Sequence, residues 1–264
     1  MATVLIFGCG WLGSQLGVAL SEDGHRVYGS RRSTTSLLTL PAQIQPLCWD
    51  GQSRFDASIQ ALIPDSWLIL AMPPAAQQDG GRAYLDTVQL ILNQSSGSKG
   101  VILCSSTGVY AGLAGRVDES AAPGPEPRAL LLWQAEQLVR QYPVHFILRL
   151  AGLVGPGRHP AGFTRRGVMA GPEQPVNLVH STDVCRWICQ LLAVSGHGFP
   201  QVVNLSAPLT ATKAEFYTAA CIRAAVPVPQ FVAAIEPGRT VDARLSQTDT
   251  SFVYQHHGLS SLIS

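Results

Sequence analysis

Apolar residues fill the stretch Thr3-Val-Leu-Ile-Phe7 and stop at Gly8. Beyond it they recur at helical spacing through Leu12, Leu16, Val18, Ala19 and Leu20, until Gly24 breaks the pattern. The first stretch predicts a buried strand and the second a helix lying on it. This alternation continues along the chain. Further strands are predicted at His25–Gly29, Ile44–Trp49, Trp67–Ala71, Val101–Ser105 and His145–Ala151. Helices are predicted from about residue 82 to 93, with Tyr84, Val88 and Leu92 on one face, and from about 128 to 141 after a proline-rich loop (112–127). After residue 151 the texture changes. Gly, Pro and Arg cluster between 152 and 175 with no period of 2 or 3.6. A helix (Thr182–Ala193), a strand (Gln201–Leu205) and a last helix (Lys213–Ala225) follow.

The junction of the first strand and helix reads Gly8-Cys9-Gly10-Trp11-Leu12-Gly13, a G-x-G-x-x-G spacing in a strand–turn–helix context. Gly8 permits the tight turn, Gly10 leaves room for a pyrophosphate at the backbone, and Gly13 lets the helix lie close on the strand. The free N–H groups and the positive end of the helix dipole would meet the phosphates. Together with the alternating pattern, this predicts an α/β, doubly wound parallel Rossmann sheet with a small C-terminal substrate-binding cap. Residues 1–151 form the expected dinucleotide-binding domain, rejoined by about 176–206. Residues 152–175 and 207–264 form the expected cap.

Composition narrows the function classes. Of the 264 residues, 46% are hydrophobic and 13% charged, which favours a large buried core. A net charge of +1 without a basic tract argues against a nucleic-acid partner. No apolar run reaches the roughly 18 residues of a membrane span, so no membrane partner is expected. The chain enters its first strand without the basic region or cleavage site of a signal peptide, so a cytoplasmic location is expected. The six cysteines fit that compartment. Cys185 and Cys189 stand four apart on a predicted helix, not at C-x-x-C spacing, and no metal site is expected.

The end of the second strand bears on the cofactor. A carboxylate about 20 residues past the glycines holds the ribose of NAD, whereas arginine suits the 2′-phosphate of NADP. Here the chain reads Gly29-Ser30-Arg31-Arg32-Ser33-Thr34, with no carboxylate. NADP is therefore the expected cofactor, with NAD as the alternative; the other reading of Arg31 and Arg32 is a pair of solvated loop charges.

Four later segments carry a family resemblance: Ser105-Ser106-Thr107-Gly108-Val109-Tyr110; Glu119 with the prolines after it; Arg149 through Gly155-Pro156-Gly157-Arg158; and Val176-Asn177-Leu178-Val179-His180-Ser181-Thr182-Asp183-Val184. In order and spacing the chain resembles the extended short-chain dehydrogenase/reductases, the NAD-dependent epimerase/dehydratase family, with Val154 in place of the usual tyrosine. The phrases Gly-Trp-Leu-Gly and Arg-Leu-Ala-Gly-Leu-Val-Gly-Pro-Gly-Arg-His-Pro are similar to a poorly characterised bacterial subgroup. The resemblance implies cofactor contacts at Gly8, Gly10, Trp11, Leu12, Gly13, Ser30, Arg31, Arg32, Asp50, Ala71, Met72, Pro73 and Ser105. It implies a small-molecule substrate, such as a nucleotide sugar, near Arg149, Arg158 and His180. The oligomeric state stays open, with a dimer as one option.

One departure stands out. Aligned on Glu136-Gln-Leu-Val, the family's Tyr-x-x-x-Lys positions hold Arg128 and Leu132. The candidate catalytic residues are then Ser106, whose other reading is a strand-end cap, and Tyr110, whose other reading is a packed tyrosine. Arg149 reads equally as a substrate contact or a buried ion pair. His180 and Asp183 read as organisers of the cap junction, with Asp183 suited to a helix N-cap or first turn. Two functions follow: an NAD(P)-dependent oxidoreductase or epimerase/dehydratase-like protein acting on a nucleotide sugar or similar polar metabolite, or a non-catalytic NADP-binding regulatory or interaction protein. Fold alone does not choose between them.

Overall fold

Side chains in β1 (Thr3–Phe7) alternate between two cores: Val4 and Ile6 enter one, Leu5 and Phe7 the other. The pleat of a strand buried on both faces requires this. The same division holds in β4 (Ser66–Leu70) and β5 (Gly100–Ser106), where Ile69 and Ile102 face the first core and Leu68, Leu70, Val101 and Leu103 the second. The computed structural model describes residues 1–74, 79–235 and 237–263. With β2 (Arg26–Arg31), β3 (Gln45–Cys48), β6 (His145–Leu150) and β7 (Val202–Leu205), the strands form one parallel sheet in the order β7-β6-β5-β4-β1-β2-β3.

Helices cover both faces. On one, α1 (Trp11–Glu22) supplies Leu12, Leu16 and Leu20, and α4 (Ser181–Ala193) supplies Val184, Trp187, Ile188 and Leu191. On the other, α2 (Arg82–Asn93) contributes Tyr84, Val88 and Ile91, and α3 (Pro127–Arg140) contributes Leu131, Ala135 and Val139. Each fully buried aliphatic side chain is worth about 1.5–3 kcal/mol, so these stripes hold the helices in place. Pro127 sits at the first turn of α3, where its missing N–H costs nothing. The expected Rossmann arrangement is therefore present: every pairing in the sheet is parallel, and the chain crosses from the edge strand β3 over β2 and β1 to β4.

Among the described residues, three short parallel pairs lie outside this sheet. Gly115–Val117 pairs with Arg239–Val241, Gly152–Val154 with Leu178–His180, and Val168–Ala170 with Gln230–Val232. They add short strands to the predicted loop 112–127 and to the aperiodic stretch 152–175, since three residues are too few to show a period. The pair Val168–Ala170 with Gln230–Val232 joins the segments after 151 and 207, which share a third core containing Val154, Val176, Leu178, Phe216, Tyr217 and Leu262. That core also seats α5 (Lys213–Arg223), which ends two residues earlier than its pattern predicts. The six cysteines are free. Among the described residues, no helix is long and apolar enough to cross a membrane, and no group of three His, Cys, Asp or Glu is placed to hold a metal.

Candidate active site

The carboxyl ends of β1 to β5 carry the glycine turn, Arg31, the Asp50 loop, Met72-Pro73 and Ser106, the edge at which doubly wound sheets bind ligands. The glycine turn begins with Gly8 at φ +84°, and a Cβ there would lie 2.8 Å from the backbone nitrogen of Met72. Only glycine fits. The Gly8 N–H donates to the Ser30 hydroxyl at 3.1 Å, and Cys9 N–H donates to the Ser30 carbonyl at 3.1 Å. Ala71 N–H donates to the Phe7 carbonyl at 2.8 Å, tying β4 to the turn. A Cβ on Gly13 would lie 2.9 Å from the Gly8 carbonyl oxygen, so glycine lets α1 close on β1.

Gly10 differs. A Cβ built there meets only the Gly8 carbonyl oxygen, at 3.8 Å, and otherwise points into open space. No side chain caps the N-terminus of α1, and its first turn holds no acid. The turn therefore leaves a cradle and uncapped donors where a dinucleotide pyrophosphate would sit, and these residues fit that group. Leu12 is buried beneath the turn. Trp11 is pinned by its indole N–H to the Pro156 carbonyl at 2.8 Å, and the Arg158 guanidinium lies 5.3 Å from its ring and 5.7 Å from that of Phe163.

At the end of β2, Ser30 is buried and already engaged with Gly8. Its role here is to hold the turn, not to stand open for a 2′-phosphate. Arg31 is half-buried with its Nε lacking a partner, while Arg32 is exposed and faces Asp50 across a second, smaller cavity.

Beyond β5 a cleft of about 670 Å³ opens between the sheet edge and the C-terminal segments. Ser106 and Arg128 line it from the sheet side, and Asn177, Lys213, Tyr217 and Arg239 from the other. The Ser106 hydroxyl accepts the Gly108 N–H at 3.0 Å, so the residue caps its turn and faces the cleft at once. Arg128 enters the cleft from the first turn of α3. Leu132, one turn on, is buried under Gly108, with its Cδ1 3.2 Å from where a Cβ on Gly108 would stand. The two positions aligned above through the resemblance therefore differ: Arg128 reaches the cleft, and Leu132 is apolar and closed off from it.

A capping box of Thr212 and Glu215 starts α5, and Lys213 and Tyr217, four residues apart, share its cleft-facing side. Lys213 Nζ donates to Gln174 Oε1 at 2.6 Å and to the Ala170 carbonyl at 3.2 Å. Burial and then the charge of Arg239 pull the Lys213 pKa down. Burial also lowers Arg239, against the pull of Glu126, and its Nε is buried without a partner. Burial pushes the Tyr217 phenol up to about 12, so it is protonated at neutral pH. Sequence reading does not single out Lys213, Tyr217 or Arg239 as site residues, and it marks Arg128 only by its aligned position. The Lys-x-x-x-Tyr spacing on α5 was the available signal.

Several expected site residues are placed elsewhere. Tyr110 is fully buried; its hydroxyl donates to Asn204 Oδ1 at 2.8 Å and accepts from Arg149 Nη1 at 2.7 Å. Burial raises its pKa despite Arg149 beside it. It is a packed tyrosine, not a proton donor to the cleft. Arg149 is also fully buried, with Nη2 2.7 Å from Glu136 Oε2, so the ion-pair reading replaces the substrate one. Ser105 donates its hydroxyl to Glu136 at 2.7 Å and offers none to a cofactor. His180 caps α4 through Nδ1 and stacks on His256 at 3.7 Å; burial, then His256, lowers its pKa. Asp183, in the first turn, accepts the N–H groups of Gln255 and His256. His180 therefore secures the C-terminal segment rather than lining the cleft, and Arg158 lies over Trp11 rather than in it. Asp50 Oδ1 is taken by the Gln52 and Ser53 N–H groups and the Ser53 hydroxyl. Met72 packs over Gly8, and Pro73 follows it at the carboxyl end of β4.

No protein-family model matches the chain. It is 30% identical over 273 residues to Protein YeeZ of Escherichia coli K12, covering 97% of each chain. Among solved structures, a Methylobacillus flagellatus protein described as an NAD-dependent epimerase/dehydratase is 25% identical with a TM-score of 0.79, covering 99% of this chain and 96% of that one. A UDP-glucuronic acid 4-epimerase from Bacillus cereus in complex with NAD has a TM-score of 0.79 at 17% identity, covering 99% and 96%, a likeness of fold.

Proposed function

The chain belongs to the family of Protein YeeZ, and from that premise we propose that it is an NADP-dependent, epimerase/dehydratase-like oxidoreductase acting on a nucleotide sugar or a similar anionic metabolite. It would stand as an atypical Gly-Trp-Leu-Gly member of the extended short-chain dehydrogenase/reductases. The observation that carries the reading is the cleft beside the glycine turn. Its charged described side chains are Arg128, Lys213 and Arg239, all cations, and Arg239 keeps a buried donor without a protein partner. Such a wall recognises a diphosphate or carboxylate. The NAD and UDP-sugar named for structural neighbours agree with that chemistry.

A nicotinamide dinucleotide supplies hydride acceptance and return when bound. Gly10 and the N-terminus of α1 would receive its pyrophosphate, and Arg31 and Arg32 its ribose end. Residues 152–175 and 207–264 would serve as the substrate cap. Ser106 orients a substrate hydroxyl or carbonyl, and the Tyr217 phenol, which has no hydrogen-bond partner among the described residues, holds a proton at the opposite wall.

Calorimetric titration of the NADPH-loaded chain with UDP-glucose and UDP-glucuronic acid tests the reading, with NMR following any conversion. Binding that is lost in the Lys213→Ala, Arg239→Ala variant, with NADPH affinity intact, is expected. Absence of binding to either nucleotide sugar or to simpler sugar phosphates would overturn it. The second reading, an NADP-binding protein without turnover, draws on Leu132 closing the lysine position. It is favoured if both ligands bind and no conversion is detected.

A further inference from the structure

Arg31 and Arg32 are neighbours in sequence, but they face different surroundings. Arg31 ends β2 half-buried near Cys9 of the glycine turn, where its charge opposes the rise that burial imposes on the thiol. Arg32 faces a cavity of about 240 Å³ beyond the carboxyl ends of β2 and β3. The second guanidinium at that cavity comes from Arg54, in the loop after β3.

Two carboxylates share the cavity, and Oδ1 of each is engaged by its own loop. Asp50 Oδ1 accepts the N–H groups of Gln52 and Ser53, each at 2.8 Å, and the Ser53 hydroxyl at 2.8 Å. Asp56 accepts the Ile59 N–H at 2.9 Å and the Ser58 hydroxyl at 2.6 Å, capping the single turn Ala57–Gln60. Among the described residues neither Arg32 nor Arg54 forms an ion pair. These hydrogen bonds hold both aspartates ionised on their own loops, and with no ion pair to either one the guanidinium donors of Arg32 and Arg54 stay available to a ligand.

The cavity lies where the adenosine ribose falls in a doubly wound sheet whose pyrophosphate sits on α1. We infer that Arg54 joins Arg32 as a two-guanidinium receptor for an adenosine 2′-phosphate, and that Arg54 determines specificity for the phosphorylated dinucleotide. A phosphate dianion presents three oxygens, which two planar forks satisfy better than one. The Asp50-anchored turn sets the loop that carries Arg54, so the loop after β3, not only the end of β2, reads the cofactor. The inference rests on the NADP reading given above.

Two probes that differ by one phosphate test it: 2′,5′-ADP and 5′-AMP, titrated calorimetrically into the full chain. Wild type is expected to bind 2′,5′-ADP at least about tenfold more tightly, a difference near 1.4 kcal/mol. Arg54→Ala is expected to lower 2′,5′-ADP affinity about tenfold and to hold 5′-AMP within about twofold, which also reports an intact fold. Arg54→Lys should recover part of the loss, as a point charge without the fork. A wild-type chain that does not distinguish the probes overturns the NADP reading and this inference with it. A wild-type preference that survives Arg54→Ala overturns the inference alone, as does an equal loss of both probes.

Discussion

Arg149 meets Glu136 at 2.7 Å with neither side chain reaching solvent, and the pair draws in the hydroxyls of Ser105 and Tyr110. An ion pair so placed is costly to break from one side, because the remaining charge stays buried. Arg149→Met is expected to destabilise the chain by about 3–5 kcal/mol in urea unfolding. The double change Arg149→Met, Glu136→Leu should cost less than the single one. A single variant as stable as wild type would show that the pair is not desolvated in solution.

Tyr110 and Tyr217 should separate stability from ligand chemistry. Tyr110→Phe leaves Asn204 and Arg149 each short of a buried partner and is expected to cost about 1–3 kcal/mol without weakening UDP-sugar binding to the folded chain. Tyr217→Phe removes a hydroxyl that no described residue holds, so stability should hold and turnover should fall. Thermal unfolding and steady-state kinetics on both variants check this; the reverse pattern would exchange their assignments.

At the glycine turn, Gly10→Val should leave a folded chain that no longer binds NADPH by equilibrium dialysis, since the new side chain enters open space. Gly8→Ala should instead lower the unfolding midpoint, because φ is +84° and Met72 backbone blocks the Cβ. A Gly10→Val chain with full NADPH affinity would reduce the turn to a structural feature.

The His180–His256 stack predicts a pH effect of definite sign. His180 holds its proton less tightly folded than unfolded, so its contribution is complete above the unfolded value of 6.5 and is lost as pH falls from there through the lower folded value. His180→Asn keeps a capping side chain without the titration. Its melting temperature should decline less below pH 6.5 than that of wild type. Parallel declines would place the titration elsewhere, with His25, also lowered by burial, the next residue to substitute.

Local pattern carried the sheet and the glycine turn, because a buried strand and an amphipathic helix each leave a period in a dozen residues. It did not carry the cleft. Ser106 is separated in sequence from Lys213, Tyr217 and Arg239, and what joins them is three-residue pairing such as Gly115–Val117 with Arg239–Val241, which is too short to leave a period. Side-chain direction was equally hidden. Nothing near Tyr110 in sequence announces Asn204 or Arg149 as its partners, and the Ser30 hydroxyl turns inward only because Gly8 offers it an N–H.

Trp11 gives the molecule an optical gauge. Its indole is tied to Pro156, lies under Arg158 and opens the first turn of α1, while Trp49, Trp67 and Trp187 are sealed in the core. Emission subtracted against a Trp11→Phe chain isolates that one indole. Its quenching would register a dinucleotide settling on the glycine turn, and its wavelength would follow the Pro156 segment as it loosens or tightens, without any label added.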